Sequence, residues 1–86
     1  KEDPEFLYKM GMRYLNGDWV AKNEKRGFIL LQASSENGSI DATLELSFCY
    51  EGGRGVKANP VEAAWMYRLG SKQGSINAMQ RLAKLH

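Results

Sequence analysis

A chain of 86 residues with 12 basic and 10 acidic side chains, net charge +2, has room for one small domain and too little positive charge to mark a nucleic-acid binder by electrostatics alone. Its apolar content of 43% is enough for a core and argues against disorder. No apolar run approaches the roughly 20 residues of a membrane-spanning helix, and the single cysteine, Cys49, excludes an internal disulfide.

The chain opens on Lys1-Glu2-Asp3-Pro4, which is polar and lacks the apolar stretch of a signal peptide. The absence of a leading Met reads as an excised or processed segment. Asp3 suits an N-cap, Pro4 the first helical position, and Glu5 the positive end of the helix dipole. Phe6, Leu7, Met10, Tyr14 and Leu15 recur at helical spacing, and Asn16-Gly17 stops the run, so the first helix covers 4–16. Residues 17–23 form a loop in which Val20 is the expected buried anchor. Asn23 caps a second helix over 24–36, with Phe28, Ile29, Leu30 and Leu31 as a broad apolar face and Asn37-Gly38 as its stop. Ser39 caps a third helix over 40–51, carrying Ala42, Leu46 and Tyr50. Gly52-Gly53-Arg54-Gly55 is a loop that demands left-handed backbone. Asn59-Pro60-Val61-Glu62 has the chemistry of a capping box and opens a fourth helix that ends near Gln73-Gly74. Ser75 caps a last helix, 76–85, with Ala78 and Leu82 in series with Ala42 and Leu46. No period-2 alternation competes for a strand.

This grammar is a repeat. Tyr14 and Tyr50, Gly17 and Gly53, Val20 and Val56, Asn23 and Asn59, Ser35 and Ser71, and Gly38-Ser39-Ile40 and Gly74-Ser75-Ile76 all stand 36 positions apart. A fixed period of this size marks a stacked repeat architecture. Small residues at Gly11 and Ser47, and at Gly27, Ala63 and Gly70, fit close helix-on-helix approach, at a helix-propensity cost of up to about 1 kcal/mol per Gly.

The pattern resembles the Sel1-like repeat family, relatives of the tetratricopeptide repeat. The second unit matches at Ala42, Leu46, Tyr50, Gly53, Gly55, Val56, Asn59, Ala63, Tyr67 and Gly74, with Gly70-Ser71 as the small pair. It departs at Ser47, usually Gly, and at Met66, usually Trp, with Trp65 one place early. The looser first unit keeps Gly11, Tyr14, Gly17, Val20, Asn23, Ser34-Ser35 and Gly38, and has Trp19 at the second loop glycine. A plain tetratricopeptide repeat has a period of about 34. The longer loop and the period of 36 favour the Sel1-like form.

The resemblance implies an all-α fold: a right-handed solenoid of antiparallel helix pairs, about five helices in one domain over 1–86. Repeat one would cover about 5–40 and repeat two about 41–76, with the first helix of a third at 77–86. The A helices of each unit would line the concave side. Similar proteins act as scaffolds and adaptors for protein complexes and are not usually enzymes. The implied function is a non-enzymatic module that binds a partner peptide or helix. The alternative is a structural segment that stacks on neighbouring repeats and has no ligand of its own; Leu82 and Leu85 on the last helix would serve self-association through the ends.

By analogy with the tetratricopeptide groove, the partner-facing positions are Glu5, Tyr8, Met12, Leu15 and Asn16, then Asp41, Leu44, Phe48 and Glu51, then Gln80 and Lys84. Aromatic and Met side chains serve as peptide anchors, although several of these also suit packing between helices. Trp19, in a loop, either folds back over the helix pair or stands out as a partner contact.

No catalytic constellation competes, and no cofactor or metal is expected. The only His is His86, at the terminus, and one Cys with one His cannot build a zinc site. Gly53-x-Gly55 lacks the strand and third glycine of a dinucleotide fingerprint. Cys49 reads as a structural helix residue, and a lone Cys leans towards a reducing, cytoplasmic setting. Residues 44–86 hold 6 basic side chains against 3 acidic ones; solvated helix faces explain that excess without a nucleic-acid partner.

Overall fold

The computed structural model describes residues 2–85, so His86 and the side chain of Leu85 lie outside the described residues. Five α-helices follow one another: α1 Pro4–Asn16, α2 Glu24–Glu36, α3 Ile40–Gly52, α4 Pro60–Lys72 and α5 Ile76–Leu85. Among the described residues there is no strand. Each helix begins where a short polar side chain can hold a free backbone N–H. Asp3 accepts from the Glu5 amide at 3.1 Å, Asn23 from Arg26 at 3.0 Å, and Ser39 from Ala42 at 3.1 Å. Asn59 accepts from Glu62 and Ser75 from Ala78, both at 3.1 Å. Gly17 and Gly53 end α1 and α3 in the left-handed conformation, at φ 75° and 73°. The loop after each A helix then closes identically: the Asn23 amide donates to the Tyr14 carbonyl, and the Asn59 amide to that of Tyr50, both at 2.8 Å.

Helix pairs α1/α2 and α3/α4 form two successive units, and α5 packs on α4 as α3 packs on α2. One core cluster joins the units: Leu15, Phe28 and Leu31 meet Ala42, Leu46 and Cys49, with Tyr8, Met12, Tyr50, Val56 and Met66 around the margin. The second gathers Ala63, Tyr67 and Ala78 against Leu44, Phe48 and Leu82. Full burial of a side chain such as Leu31 or Leu46 contributes about 1.5–3 kcal/mol. Phe28 and Tyr50 cross this junction edge to face, with ring centroids 5.3 Å apart. Within unit one the helices meet backbone to backbone, because a Cβ on Gly27 would lie 2.8 Å from the Gly11 carbonyl oxygen.

The buried hydroxyls of the small residues also find partners across the stack. Ser34 donates to the Pro4 carbonyl at 2.6 Å, and Ser35 and Thr43 share a hydrogen bond of 2.6 Å between α2 and α3. Arg54, in the loop of unit two, reaches back into unit one. Its Nε donates to Glu24 Oε2 at 3.0 Å, and its Nη2 to the Leu15 carbonyl at 2.8 Å and to Asn16 Oδ1 at 3.4 Å. Beside it, Gly55 at φ 75° lies so close to α2 that an added Cβ would overlap the Glu24 carbonyl. Val20 is half-buried rather than enclosed; its counterpart Val56 leans on the core.

Candidate partner-binding surface

The 36-residue period places equivalent residues of α1, α3 and α5 in three parallel stripes. They are Glu5, Tyr8, Lys9 and Met12; Asp41, Leu44, Glu45 and Phe48; and Asn77, Gln80, Arg81 and Lys84. Two grooves separate them. One, ≈ 360 Å³, runs between α1 and α3 past Glu5, Tyr8, Lys9 and Asp41. The other, ≈ 500 Å³, runs between α3 and α5 past Leu44, Phe48, Asn77, Gln80, Arg81 and Lys84.

The expected site residues divide by burial. Tyr8, Met12, Leu44 and Phe48 are half-buried, each with one side on the core. Glu51, Gln80 and Lys84 are exposed, as are Glu5, Asn16 and Asp41. Leu15 does not belong with them. It is 1% exposed, its backbone passes against Gly27, and Arg54 covers its carbonyl, so it is a core residue with no surface to offer. Trp19 stands out from its loop, 89% exposed, in a left-handed conformation at φ 70°.

Several of these side chains are already engaged. The Phe48 ring meets Tyr67 edge to face with centroids 6.1 Å apart, and the Arg81 guanidinium lies over the same Phe48 ring, 5.0 Å from its centroid. The Tyr67 hydroxyl donates to Glu51 Oε1 at 2.7 Å; burial first, then this bond, raises the phenol pKa far above its ordinary value. Lys9 and Glu5 form an exposed pair at 3.6 Å. Glu45 is held above the usual carboxylate range, by burial first, against the pull of Arg54 and with help from the Asp41 charge. Tyr8 is likewise raised, by burial and then by the charges of Glu45 and Asp41. Lys9, Glu45, Asn77 and Arg81 were not among the sequence expectations; a step of 36 positions from Asp41 reaches Asn77, whereas Lys9, Glu45 and Arg81 form a series of their own at the same spacing.

Burial pushes the Cys49 thiol up to about 11, which leaves it protonated and inert at neutral pH. Among the described residues no group of three or more His, Cys, Asp or Glu side chains could hold a metal ion, and no helix is long and apolar enough to cross a membrane. The surface offers apolar contact and charge.

The model of the Sel1 repeat matches residues 4–39 and again 40–75. Among solved structures, a Sel1 repeat protein from Oxalobacter formigenes superposes with a TM-score of 0.90 at 30% identity, covering 94% of this chain and 61% of that one. Helicobacter pylori cysteine rich protein B gives 0.88 at 23% identity, over 92% of this chain and 59% of that one, a likeness of fold alone. The protein c5321, a protective antigen of uropathogenic Escherichia coli strains with an SLR fold, gives 0.86 at 28% identity, over 91% of this chain and 17% of that one. The chain thus spans about three fifths of the first two structures and a smaller part of the third. No curated protein matches it. Repeats of this kind typically mediate protein interactions and are typically non-enzymatic. With two complete units in register over most of its length, the chain belongs to the Sel1 repeat family.

Proposed function

We propose that the chain is a non-enzymatic interaction module that holds a peptide or helix on the concave face formed by α1, α3 and α5. The observation that carries this reading is the groove between α3 and α5, where Leu44 and Phe48 remain half-exposed between polar walls. Side chains of this kind anchor peptides in helical grooves. Tyr8 and Met12 extend the apolar floor towards α1, while Glu51, Gln80 and Lys84 form the rim. Trp19 is a separate contact point.

The test selects binders from a random peptide library displayed on phage, then places a photo-crosslinking amino acid at Phe48 or, as control, at Arg68 on α4. Selected peptides should crosslink at position 48 and not at 68, and Phe48→Ala should weaken them by about tenfold or more without unfolding the chain. Crosslinking at 68 alone would move the site to the other side of the molecule.

A second reading is favoured by the two ends of the stack. Phe6 and Ile29 are 60% and 54% exposed beside the ≈ 640 Å³ groove that α1 and α2 form, and Ile76 and Met79 on α5 are 69% and 44% exposed. On this reading the chain stacks end to end on further helical units or on itself. Sedimentation that shows one monomer at every concentration would count against self-association.

A further inference from the structure

The three stripes differ in charge, and the inference drawn from this rests on the groove reading above. On α1, Glu5 and Lys9 neutralise one another. On α3 the stripe holds two carboxylates, Asp41 and Glu45, and on α5 two cations, Arg81 and Lys84; α5 contains no acidic residue. Among the described residues neither cation has a carboxylate within ion-pair distance. Glu51, at the end of α3, is held by Tyr67 instead. Arg81 rests on Phe48, and a guanidinium stacked in this way keeps its N–H edges free for an acceptor. The cations therefore border the apolar floor of the groove, and the carboxylates lie outside it, on the α1 side of α3, with Asp41 in the groove between α1 and α3.

We propose that the groove between α3 and α5 takes an extended acidic peptide segment in one fixed polarity. A bulky apolar side chain of the segment lies on Leu44 and Phe48, and its carboxylates meet Arg81 and Lys84. Asp41 and Glu45 repel acid on the α1 side, so the segment is uncharged or cationic there. The floor gives affinity and the two charge stripes give orientation, as electrostatic complementarity does at interfaces generally.

The experiment takes the displayed peptides selected on the folded chain and measures their affinity, by fluorescence anisotropy at physiological salt, for the parent and two double variants. These are Arg81→Gln with Lys84→Gln, and Arg81→Glu with Lys84→Glu. Both positions are exposed, and circular dichroism confirms the fold of each variant. The expected result has three parts. Selected peptides carry Asp or Glu near a bulky apolar residue; the neutral variant binds them about tenfold more weakly and the reversed one more weakly still; and the reversed variant gains affinity for peptides with Lys or Arg in place of the acid. Peptides that need Phe48 but bind all three proteins alike overturn the charge assignment and leave the groove reading standing. Peptides that bind equally well to Phe48→Ala overturn both. A single-stranded oligonucleotide that binds as tightly as the best peptide overturns the proposal in favour of a general polyanion surface.

Discussion

Glu45 carries the clearest residue-scale consequence. Its raised carboxyl pKa means that the folded chain holds this proton more tightly than the unfolded chain does. Its contribution to stability is therefore favourable below the ordinary carboxylate range. It declines as pH climbs from the ordinary value to the raised one and stays lower above that. Glu45→Gln should raise the melting temperature at about pH 7 and leave it nearly unchanged at about pH 3.5, read by thermal unfolding at both. A variant that melts lower at neutral pH would mean that the pull of Arg54 outweighs burial. Leu15 shows where sequence reading failed at this scale. Its counterpart one period on is the exposed Glu51, whereas Leu15 is enclosed by the core of the joint, the backbone of Gly27 and the arm of Arg54. A period assigns position, whereas environment depends on which unit lies on top.

The helices themselves were legible to within a residue, because their signals are local. Asp3, Asn23, Ser39, Asn59 and Ser75 act as caps by accepting from amides two or three residues on. The spacing between helices was legible only as a hint in the small residues. Two glycines separate the cases. Gly27 meets the Gly11 carbonyl, so Gly27→Ala should cost about 1–3 kcal/mol despite the better helix propensity of Ala. Gly52, at the end of α3, faces open space, so Gly52→Ala should be neutral or stabilise by up to about 1 kcal/mol. Urea unfolding of both variants measures the contrast, and a destabilised Gly52→Ala would show that the last turn of α3 needs more than helix propensity.

At the scale of the whole molecule the described residues form a slab of 37 × 26 × 17 Å whose units are joined by a hydrophobic seam, the Ser35–Thr43 hydrogen bond and the polar arm of Arg54. The period set the order of the helices in advance. The basic excess over 44–86 was visible as a composition shift, but its sorting between α3 and α5 was not, because the cations of α5 count together with Arg54, Lys57, Arg68 and Lys72 elsewhere. The arm itself, Arg54, looked like an ordinary loop residue, since its three acceptors lie 30 to 39 positions back in the chain. Arg54→Ala should cost about 1 kcal/mol, given the partial exposure of the pair, and should speed amide exchange in α1 and α2 more than in α4. Uniform acceleration would mean that the two units open as one.

Trp19 changes the joint that the front of the stack could make. It occupies in unit one the place that Gly55 holds in unit two, and Asp18 the place of Arg54. A further unit laid on the front of α1 and α2 in the geometry of the existing joint would bring its own backbone onto the Trp19 Cβ, and would meet a carboxylate where a guanidinium is required. Stacking on the α1/α2 end, through Phe6 and Ile29, would therefore need a joint of another geometry than the one between the two units, as a tile with a lip along one edge meets its neighbour differently there.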